Sequence, residues 1–250
     1  MCSEKAKILI LVEGAKLDVK LMAHLLSIYG ISQSHQIVSY KTNIYDLYQH
    51  MFIENEPDSV DLLQLLKERE PNPANKAIFD AHYSDILLIF DLDPQDTRFS
   101  SEKITQMINY FVESSDMGKL YLNYPMVEAF YHMRNIPDDD YNTYEATLLE
   151  LQQHKYKDRV IRENRNHRFS KFAVDRSECN IIIHQNIAKA HFILSADTDI
   201  DLQAHLLPDA ARILAAQLVK LQKDRSVFVL STCVFYIPEY NPNLLKDSAG

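Results

Sequence analysis

The sequence contains little of what marks secreted, membrane-bound or disulfide-rich proteins. Its apolar runs reach about five residues, whereas a helix that crosses a bilayer needs roughly 20. Residues 1–5 lack the apolar region of a signal peptide, so we expect a soluble, cytoplasmic protein. The cysteines, at positions 2, 179 and 233, are odd in number and form no C-x-x-C pair. They predict neither a disulfide framework nor a zinc knuckle, in agreement with a reducing cytosol.

Glycine is also scarce, with four residues at positions 14, 30, 118 and 250. Each internal glycine is therefore expected to mark a boundary with a particular backbone requirement. Gly14 directly follows an acidic residue at the end of an apolar run. It predicts a sharp turn into a helix, with room for a ligand to approach the backbone.

Positive charge is in deficit overall but concentrated in one segment. The net charge of -9 argues against a protein that coats nucleic acid through bulk electrostatics. Residues 155–171 nevertheless contain seven basic side chains, and the only acidic residues among them are Asp158 and Glu163. These basic residues are Lys155, Lys157, Arg159, Arg162, Arg165, Arg168 and Lys171. The segment fits either a solvated helix face or a strip that contacts the phosphates of a nucleic acid.

The first half of the chain alternates strand and helix patterns. Apolar runs at 8–12, 37–40, 86–90 and 120–122 predict strands, and periodic segments after residues 14, 59 and 100 predict helices. This order is typical of an α/β fold with a small, mostly parallel sheet flanked by helices. A hydrophobic content of 46% is enough for a sizeable core.

The second half predicts a mainly helical extension. Helical patterns lie near 143–153, 157–170, 180–194 and 202–222, and an apolar segment at 227–237 fits a strand. We therefore expect a first domain over residues 1–135 and a helical part over residues 136–250.

Acidic residues follow two of the predicted strands. Glu13 ends the first run, and Asp91 and Asp93 end the run at 86–90. Ligands of open α/β sheets bind outside the carboxyl ends of the strands, so these carboxylates are expected around one point. Such a cluster repels itself unless a cation joins it, and oxygen ligands suit Mg²⁺ or Mn²⁺.

The order of these acids resembles a Toprim domain. The pattern consists of Val12-Glu13-Gly14, Asp18 five positions after the glutamate, and Asp91-x-Asp93 followed by Asp96. The segment from Asn123 to His132 is similar to the N-x-P-x-x-E element, followed by aromatic residues and His, of RloB-like proteins. Those proteins and the related OLD-family nucleases carry Toprim domains and are associated with bacterial anti-phage defence. The resemblance covers roughly residues 6–135 and implies a divalent-metal site for phosphodiester chemistry on nucleic acid. Asp18 departs from it, because these families more often have glutamate there.

The residue roles also follow from the chemistry. Phosphodiester hydrolysis needs neutralised phosphate charge and an activated water, and Mg²⁺ or Mn²⁺ held by carboxylates supplies both. Asp91 and Asp93 lie on one side of a strand and can ligate one ion. Glu13 either ligates a metal or accepts the proton of the attacking water. Further candidates for a second ion or its surroundings are Asp18, Asp96 and Glu128.

Each of the candidate acids after the second strand also has a structural interpretation. Asp93 before Pro94 fits a turn, and Asp96 before Thr97 fits a turn or a helix cap. Glu128 and His132, four residues apart, fit a hydrogen-bonded or exposed pair.

The leading hypothesis is a Mg²⁺- or Mn²⁺-dependent Toprim endonuclease of anti-phage defence that cleaves RNA, including transfer RNA, or DNA. The chain has no G-x-x-x-x-G-K-[ST] loop, so an ATPase like those fused to OLD-type nucleases would act in trans. Self-association into a homo-oligomer also fits. One alternative is a non-catalytic effector or regulatory subunit of a defence complex.

A second alternative is a haloacid-dehalogenase-like phosphatase that begins its motif at Asp91 and uses Asp93 as acid and base. Gln95 stands where that family usually has Thr or Val, and Glu13 would have no role in it.

Overall fold

A computed structural model describes residues 7–115, 117–195 and 207–246. The strands are β1 (Lys7–Val12), β2 (His35–Ser39), β3 (Tyr83–Asp91), β4 (Val112–Glu113), β5 (Gly118–Asn123), β6 (Glu145–Thr147) and β7 (Ser226–Phe228). The helices are α1 (Leu17–Ile28), α2 (Ile44–Tyr48), α3 (Leu62–Arg69), α4 (Pro73–Lys76), α5 (Ser101–Tyr110), α6 (Leu148–Gln152), α7 (Tyr156–Glu163), α8 (Arg176–Ser195), α9 (Ala210–Asp224) and α10 (Tyr236–Tyr240).

Five strands form a mostly parallel sheet in the order β2-β1-β3-β5-β4. β1 is parallel to both of its neighbours, with Ile10 opposite Ile37 and Leu87, whereas β4 and β5 pair antiparallel. The central strands are buried almost throughout, as expected when helices cover both faces of a parallel sheet. The predicted α/β class is confirmed.

The chain divides into two compact units. One consists of residues 1–90 and 106–120, and the other of residues 91–105 and 121–250. The expected domain boundary at residue 135 stays a prediction.

In the first unit, α1 follows the apolar periodicity of its sequence. Leu21, Met22, Leu25 and Leu26 are buried along one side of the helix. The helix ends at Ile28 with Tyr29 as its C-cap, and Gly30 has a φ of 69°, the left-handed conformation that glycine adopts without steric cost.

In the second unit, α8 holds the segment at residues 138–144 through polar side chains. Gln185 exchanges two hydrogen bonds with the backbone of Asp138, at 3.0 and 2.7 Å. The Tyr141 hydroxyl donates to Asn186 Oδ1 at 2.7 Å. Lys189 Nζ donates to the carbonyls of Tyr141 and Tyr144 at 2.6 and 2.8 Å. We refer to Gln185, Asn186 and Lys189 as the α8 anchor.

Several predicted elements of the second half differ from the observed ones. The helix expected near 143–153 is wrong over residues 145–147, which form β6 and pair with β7. α7 ends at Glu163 rather than near residue 170, because the backbone of Asn164 leaves the helical conformation, with ψ at 130°; the Asn164 side chain donates to the Tyr131 carbonyl at 2.9 Å. The apolar segment at 227–237 is strand only to Phe228 and then enters a 3-10 turn and α10.

The helix expected at 180–194 is confirmed by α8, and that at 202–222 corresponds to α9 from Ala210. Residues 202–206 lie outside the described residues. Among the helices in the described ranges, none has both the length and the apolar character that spanning a bilayer requires.

Candidate functional site

The candidate site lies where β3 ends, in the second unit. Its acidic residues are Asp91, Asp93, Asp96 and Glu128, and we call them the acidic group. The backbone N–H of Leu92 donates to the Asn123 carbonyl at 3.0 Å, and that of Asp93 donates to the Pro125 carbonyl at 3.1 Å. The chain after β3 is therefore fastened to the chain after β5.

Asp93 occupies a backbone position that few residues tolerate. Its φ is 43°, in the left-handed region where aspartate and asparagine are enriched. Its carboxylate accepts a hydrogen bond from Gln95 Nε2 at 2.9 Å. Burial raises the pKa of Asp93, and the charges of Glu128 and Asp96 act in the same direction, against the opposing effects of Gln95 and Lys157. The charged form of Asp93 is thus disfavoured where it lies.

Asp91 is buried and is approached by a fixed amide. Asn123 Nδ2 donates to Asp91 Oδ1 at 3.4 Å. The other end of that amide, Asn123 Oδ1, accepts from Ser231 Oγ and from the backbone N–H of Cys233, each at 3.4 Å. Because both ends of the amide are engaged, Asn123 holds its NH₂ group towards Asp91.

Glu128 has one carboxylate oxygen with a partner and one without. It lies on a 3-10 turn at Val127–Tyr131 and is buried. Its Oε1 is 3.0 Å from Lys157 Nζ, whereas its buried Oε2 has no hydrogen-bond partner among the described residues. Buried polar atoms are nearly always paired, so this oxygen is a candidate ligand.

Lys157 brings a positive charge to the acidic group. It lies in the first turn of α7, and its side chain is 61% exposed. Partial burial disfavours its charge, but the charges of Glu128, Asp91 and Asp93 outweigh that effect and raise the pKa of Lys157. Lys157 is therefore a cation within electrostatic reach of three carboxylates.

His132 and Tyr156 fix the position of α7. His132 is fully buried, with Nδ1 at 3.2 Å from the Tyr156 hydroxyl and Nε2 at 3.1 Å from Glu163 Oε2. Burial lowers the pKa of His132 to about 4, despite the opposing effect of Glu163. The imidazole is neutral near pH 7 and has both nitrogens engaged, which supports a structural role. The hydrogen-bonded interpretation of His132 thus agrees with its contacts.

Asp96 is engaged by the turn that contains it. Its Oδ1 accepts hydrogen bonds from the backbone N–H of Arg98 at 2.8 Å and from Arg98 Nε at 3.2 Å. Its Oδ2 accepts a hydrogen bond from Arg98 Nη2 at 3.2 Å. These contacts support the turn interpretation, and a role for Asp96 as a metal ligand stays a prediction.

Glu13 and Asp18 lie in the first unit. The backbone of Glu13 is fixed on both sides, since its N–H donates to the Ile89 carbonyl and its carbonyl accepts from Lys41, each at 3.1 Å. A Cβ atom at Gly14 would stand 2.3 Å from Asp18 Oδ2, so the glycine provides space for the Asp18 carboxylate. Participation of Glu13 and Asp18 in one site with the acidic group stays a prediction.

The basic segment is partly neutralised by acids, three of which lie outside the segment. Arg159 pairs with Glu150 at 3.0 Å, and Arg165 pairs with Glu178 at 2.6 Å. Lys157 pairs with Glu128, and Arg162 with Glu163 at 3.4 Å. The exposed side chains of Lys155, Arg168 and Lys171 form no ion pair within the described ranges.

Sequence reasoning missed the supporting roles of Asn123 and Gln95. Both are uncharged; the contact of Asn123 with Asp91 depends on how the ends of β3 and β5 meet, whereas Gln95 contacts Asp93 within one turn. The position of Asn123 directly after an apolar strand was the available signal, because it matches that of the acids after β1 and β3.

The acidic group contains only oxygen ligands, which suit Mg²⁺ or Mn²⁺. In the part of the chain that the structure describes, no three or more His, Cys, Asp or Glu side chains are arranged so that they could hold a metal ion. The partnerless oxygen of Glu128 and the disfavoured charge of Asp93 nevertheless fit a site that accepts a further cation. Asp91, Asp93 and Glu128 stay the predicted ligands, although in this structure they are not arranged as such a group.

Comparisons of the chain with models of protein families, with curated proteins and with solved structures found no match.

Proposed function

We propose that this protein is a Mg²⁺- or Mn²⁺-dependent nuclease of the Toprim type. The observation that carries the proposal is that two features occur together in the acidic group. Glu128 has a buried oxygen without a partner among the described residues, and the charged form of Asp93 is disfavoured. Both follow the ends of strands in a mostly parallel sheet, where α/β proteins bind their ligands. A divalent cation would give the Glu128 oxygen a partner and would stabilise the charged form of Asp93.

Each residue has a distinct role in this proposal. When bound, the divalent ion would neutralise phosphate charge and acidify a water molecule. Asp91 and Glu128 supply oxygen ligands, and Asn123 keeps the Asp91 carboxylate oriented. Asp93 is a ligand or a proton acceptor, because a raised carboxyl pKa suits proton transfer. Glu13 is included because the sequence resembles Toprim domains, and it acts either as a further metal ligand or as the base that accepts the proton of the attacking water.

The substrate and biological setting rest on the resemblance to RloB-like and OLD-type proteins. We propose RNA, including transfer RNA, or DNA as the substrate, in anti-phage defence with an ATPase partner in trans. Lys155, Arg168 and Lys171 have no ion-pair partner among the described residues, and so small a set of available cations favours a compact substrate over a long duplex.

Metal-dependent cleavage tests the nuclease proposal. Purified protein is incubated with transfer RNA, single-stranded DNA or duplex DNA, with Mn²⁺ or with a chelator. We expect cleavage of at least one substrate with Mn²⁺, and its loss in Asp91→Asn and in Glu13→Gln. Asp139→Asn, an exposed acid of the second unit, is the matched control and should retain cleavage. Cleavage that survives the chelator or Asp91→Asn would contradict the metal mechanism.

A non-catalytic subunit of a defence complex is the second candidate. It is favoured by the basic segment, in which four of seven cations are already paired with glutamates. Such pairing weakens the attraction for phosphates. This candidate predicts no cleavage of any substrate and a stable complex with an ATPase encoded beside it, measured by size-exclusion chromatography with light scattering.

A further inference from the structure

Lys157 contacts the same Glu128 carboxylate that would bind a metal ion, through Oε1, while the oxygen without a partner among the described residues is Oε2. Its Nζ is 3.0 Å from Glu128 Oε1, and Asp91 and Asp93 are among the charges that act on it. The ammonium therefore already neutralises part of the charge of the acidic group. A surface contact alone would not place one lysine in the field of three carboxylates.

Two cations cannot share these carboxylates without cost. A divalent ion bound to Glu128 would stand within a few ångströms of the ammonium, where like charges repel strongly. The ammonium can return to solvent, because the Lys157 side chain is 61% exposed, whereas the Glu128 side chain is 4% exposed and needs a replacement cation when Lys157 leaves. The flexible four-carbon stem of Lys157 also allows the ammonium to move while α7 stays in place.

The rest of α7 is held independently of this ion pair. Tyr156 is buried beside His132, and Val160 is fully buried. Asn164, just after the helix, bonds the Tyr131 carbonyl. Movement of the Lys157 side chain therefore needs no movement of the helix that carries it.

We propose that the Lys157 ammonium and a divalent metal ion compete for the carboxylates of the acidic group, so that metal binding displaces Lys157 from Glu128. The inference rests on the proposed function, because it requires the acidic group to bind a metal. It makes Lys157 a regulator of metal affinity, and it leaves the displaced ammonium free for a phosphate of the substrate.

Calorimetric titration with Mn²⁺ tests the competition. Lys157→Met removes the charge and keeps a stem of similar length, and we expect its Mn²⁺ Kd to be lower than that of the wild type by roughly tenfold. Lys155→Met is the matched control, since Lys155 lies beside the same helix end and forms no ion pair within the described residues. Its Kd should stay within about twofold of the wild-type value, because exposed charges are screened.

The outcomes separate this inference from the proposed function. Wild-type binding with equal or weaker binding by Lys157→Met overturns the competition and leaves the metal site standing. Binding by Lys157→Met alone supports the competition. No binding by either protein overturns both the metal site and the competition. A cooperative unfolding transition of each variant without Mn²⁺ would show that the variants are folded.

A second readout follows the amine itself. Acylation of lysines is measured peptide by peptide by mass spectrometry, with and without Mn²⁺. Acylation requires an accessible amine, and displacement from Glu128 removes the ion pair that holds the amine. We expect Mn²⁺ to accelerate acylation at Lys157 and to leave Lys155 unchanged. Equal rates at Lys157 with and without Mn²⁺, under conditions where Mn²⁺ binds, would contradict the displacement.

Discussion

Asp138 and Glu128 are both buried carboxylates of the second unit, at 4% and 3% exposure, but their surroundings differ. Asp138 accepts from the backbone N–H groups of Arg134 and Asp140 at 2.7 and 3.1 Å and from the Tyr144 hydroxyl at 2.9 Å. Glu128 has a single ion pair and one oxygen without a partner among the described residues. Full pairing indicates a role in folding, whereas incomplete pairing leaves capacity for a ligand.

Two lysines of the same unit repeat the contrast. Lys189 is fully buried and bonds two backbone carbonyls, and burial holds its pKa well below the usual range. Lys157 is largely exposed, and the carboxylates of the acidic group raise its pKa. Lys189 is thus part of the scaffold around residues 138–144, while Lys157 can respond to what binds beside it.

Loss of the α8 anchor is expected to lower the stability of the protein more than any other change considered. Lys189→Ala leaves the carbonyls of Tyr141 and Tyr144 without their donor and creates a cavity, so we expect the free energy of unfolding to fall by about 4 kcal/mol. Urea denaturation at pH 7 measures it. The exposed Lys223→Ala should change stability by no more than about 0.5 kcal/mol. Equal effects of the two substitutions would remove the distinction between scaffold and site.

The next effect is a pH dependence from His132. Its pKa in the folded protein, about 4, lies below the usual 6.5, so folding favours the neutral ring. The associated stability is therefore present above pH 6.5 and is lost as the pH falls towards 4. The full loss in the free energy of unfolding due to His132 is about 3 kcal/mol.

Urea denaturation at several pH values between 7.5 and 4 measures this loss. His132→Gln cannot titrate in this range and should lose stability less steeply than the wild type. Parallel curves for the two proteins would show that His132 is not the titrating group.

Asp138→Asn should lower the free energy of unfolding by about 2 kcal/mol, because charge-assisted bonds to Arg134, Asp140 and Tyr144 become weaker or are lost. Thermal and urea unfolding measure the change. An unchanged stability would mean that the full pairing of Asp138 does not reflect a structural role.

The smallest effect has the opposite sign. Asp93→Asn removes a charge that burial and like-charged neighbours disfavour, and asparagine tolerates the left-handed backbone at this position. We expect the free energy of unfolding at pH 7 to rise by about 1 kcal/mol. Loss of stability similar to that of Asp138→Asn would place Asp93 among the structural acids and break the comparison.

The sequence predicted the first unit better than the second for a physical reason. β1, α1 and β3 carry regular apolar periods, and Gly30 marks a backbone requirement that is local to the chain. β6 exists because Ala146 pairs with Val227, about 80 positions away, which local periodicity cannot reveal.

The same limit applies to the candidate site. Asp91 and Asp93 could be found from their place after a strand. Other features of the site could not be found in this way, since they depend on residues distant in the chain. They are the ion pairs of Glu128 with Lys157, Arg159 with Glu150 and Arg165 with Glu178, and the fixed amide of Asn123.

The proposed function requires the acidic group to bind a divalent cation. Thermal unfolding with increasing Mn²⁺ tests this requirement most directly, because a ligand that binds the native state must raise stability. We predict that the unfolding temperature of the wild type rises with Mn²⁺ and that the rise disappears in Asp91→Asn/Asp93→Asn. An absence of any rise well above millimolar Mn²⁺, or an equal rise in the double variant, would contradict the proposed binding.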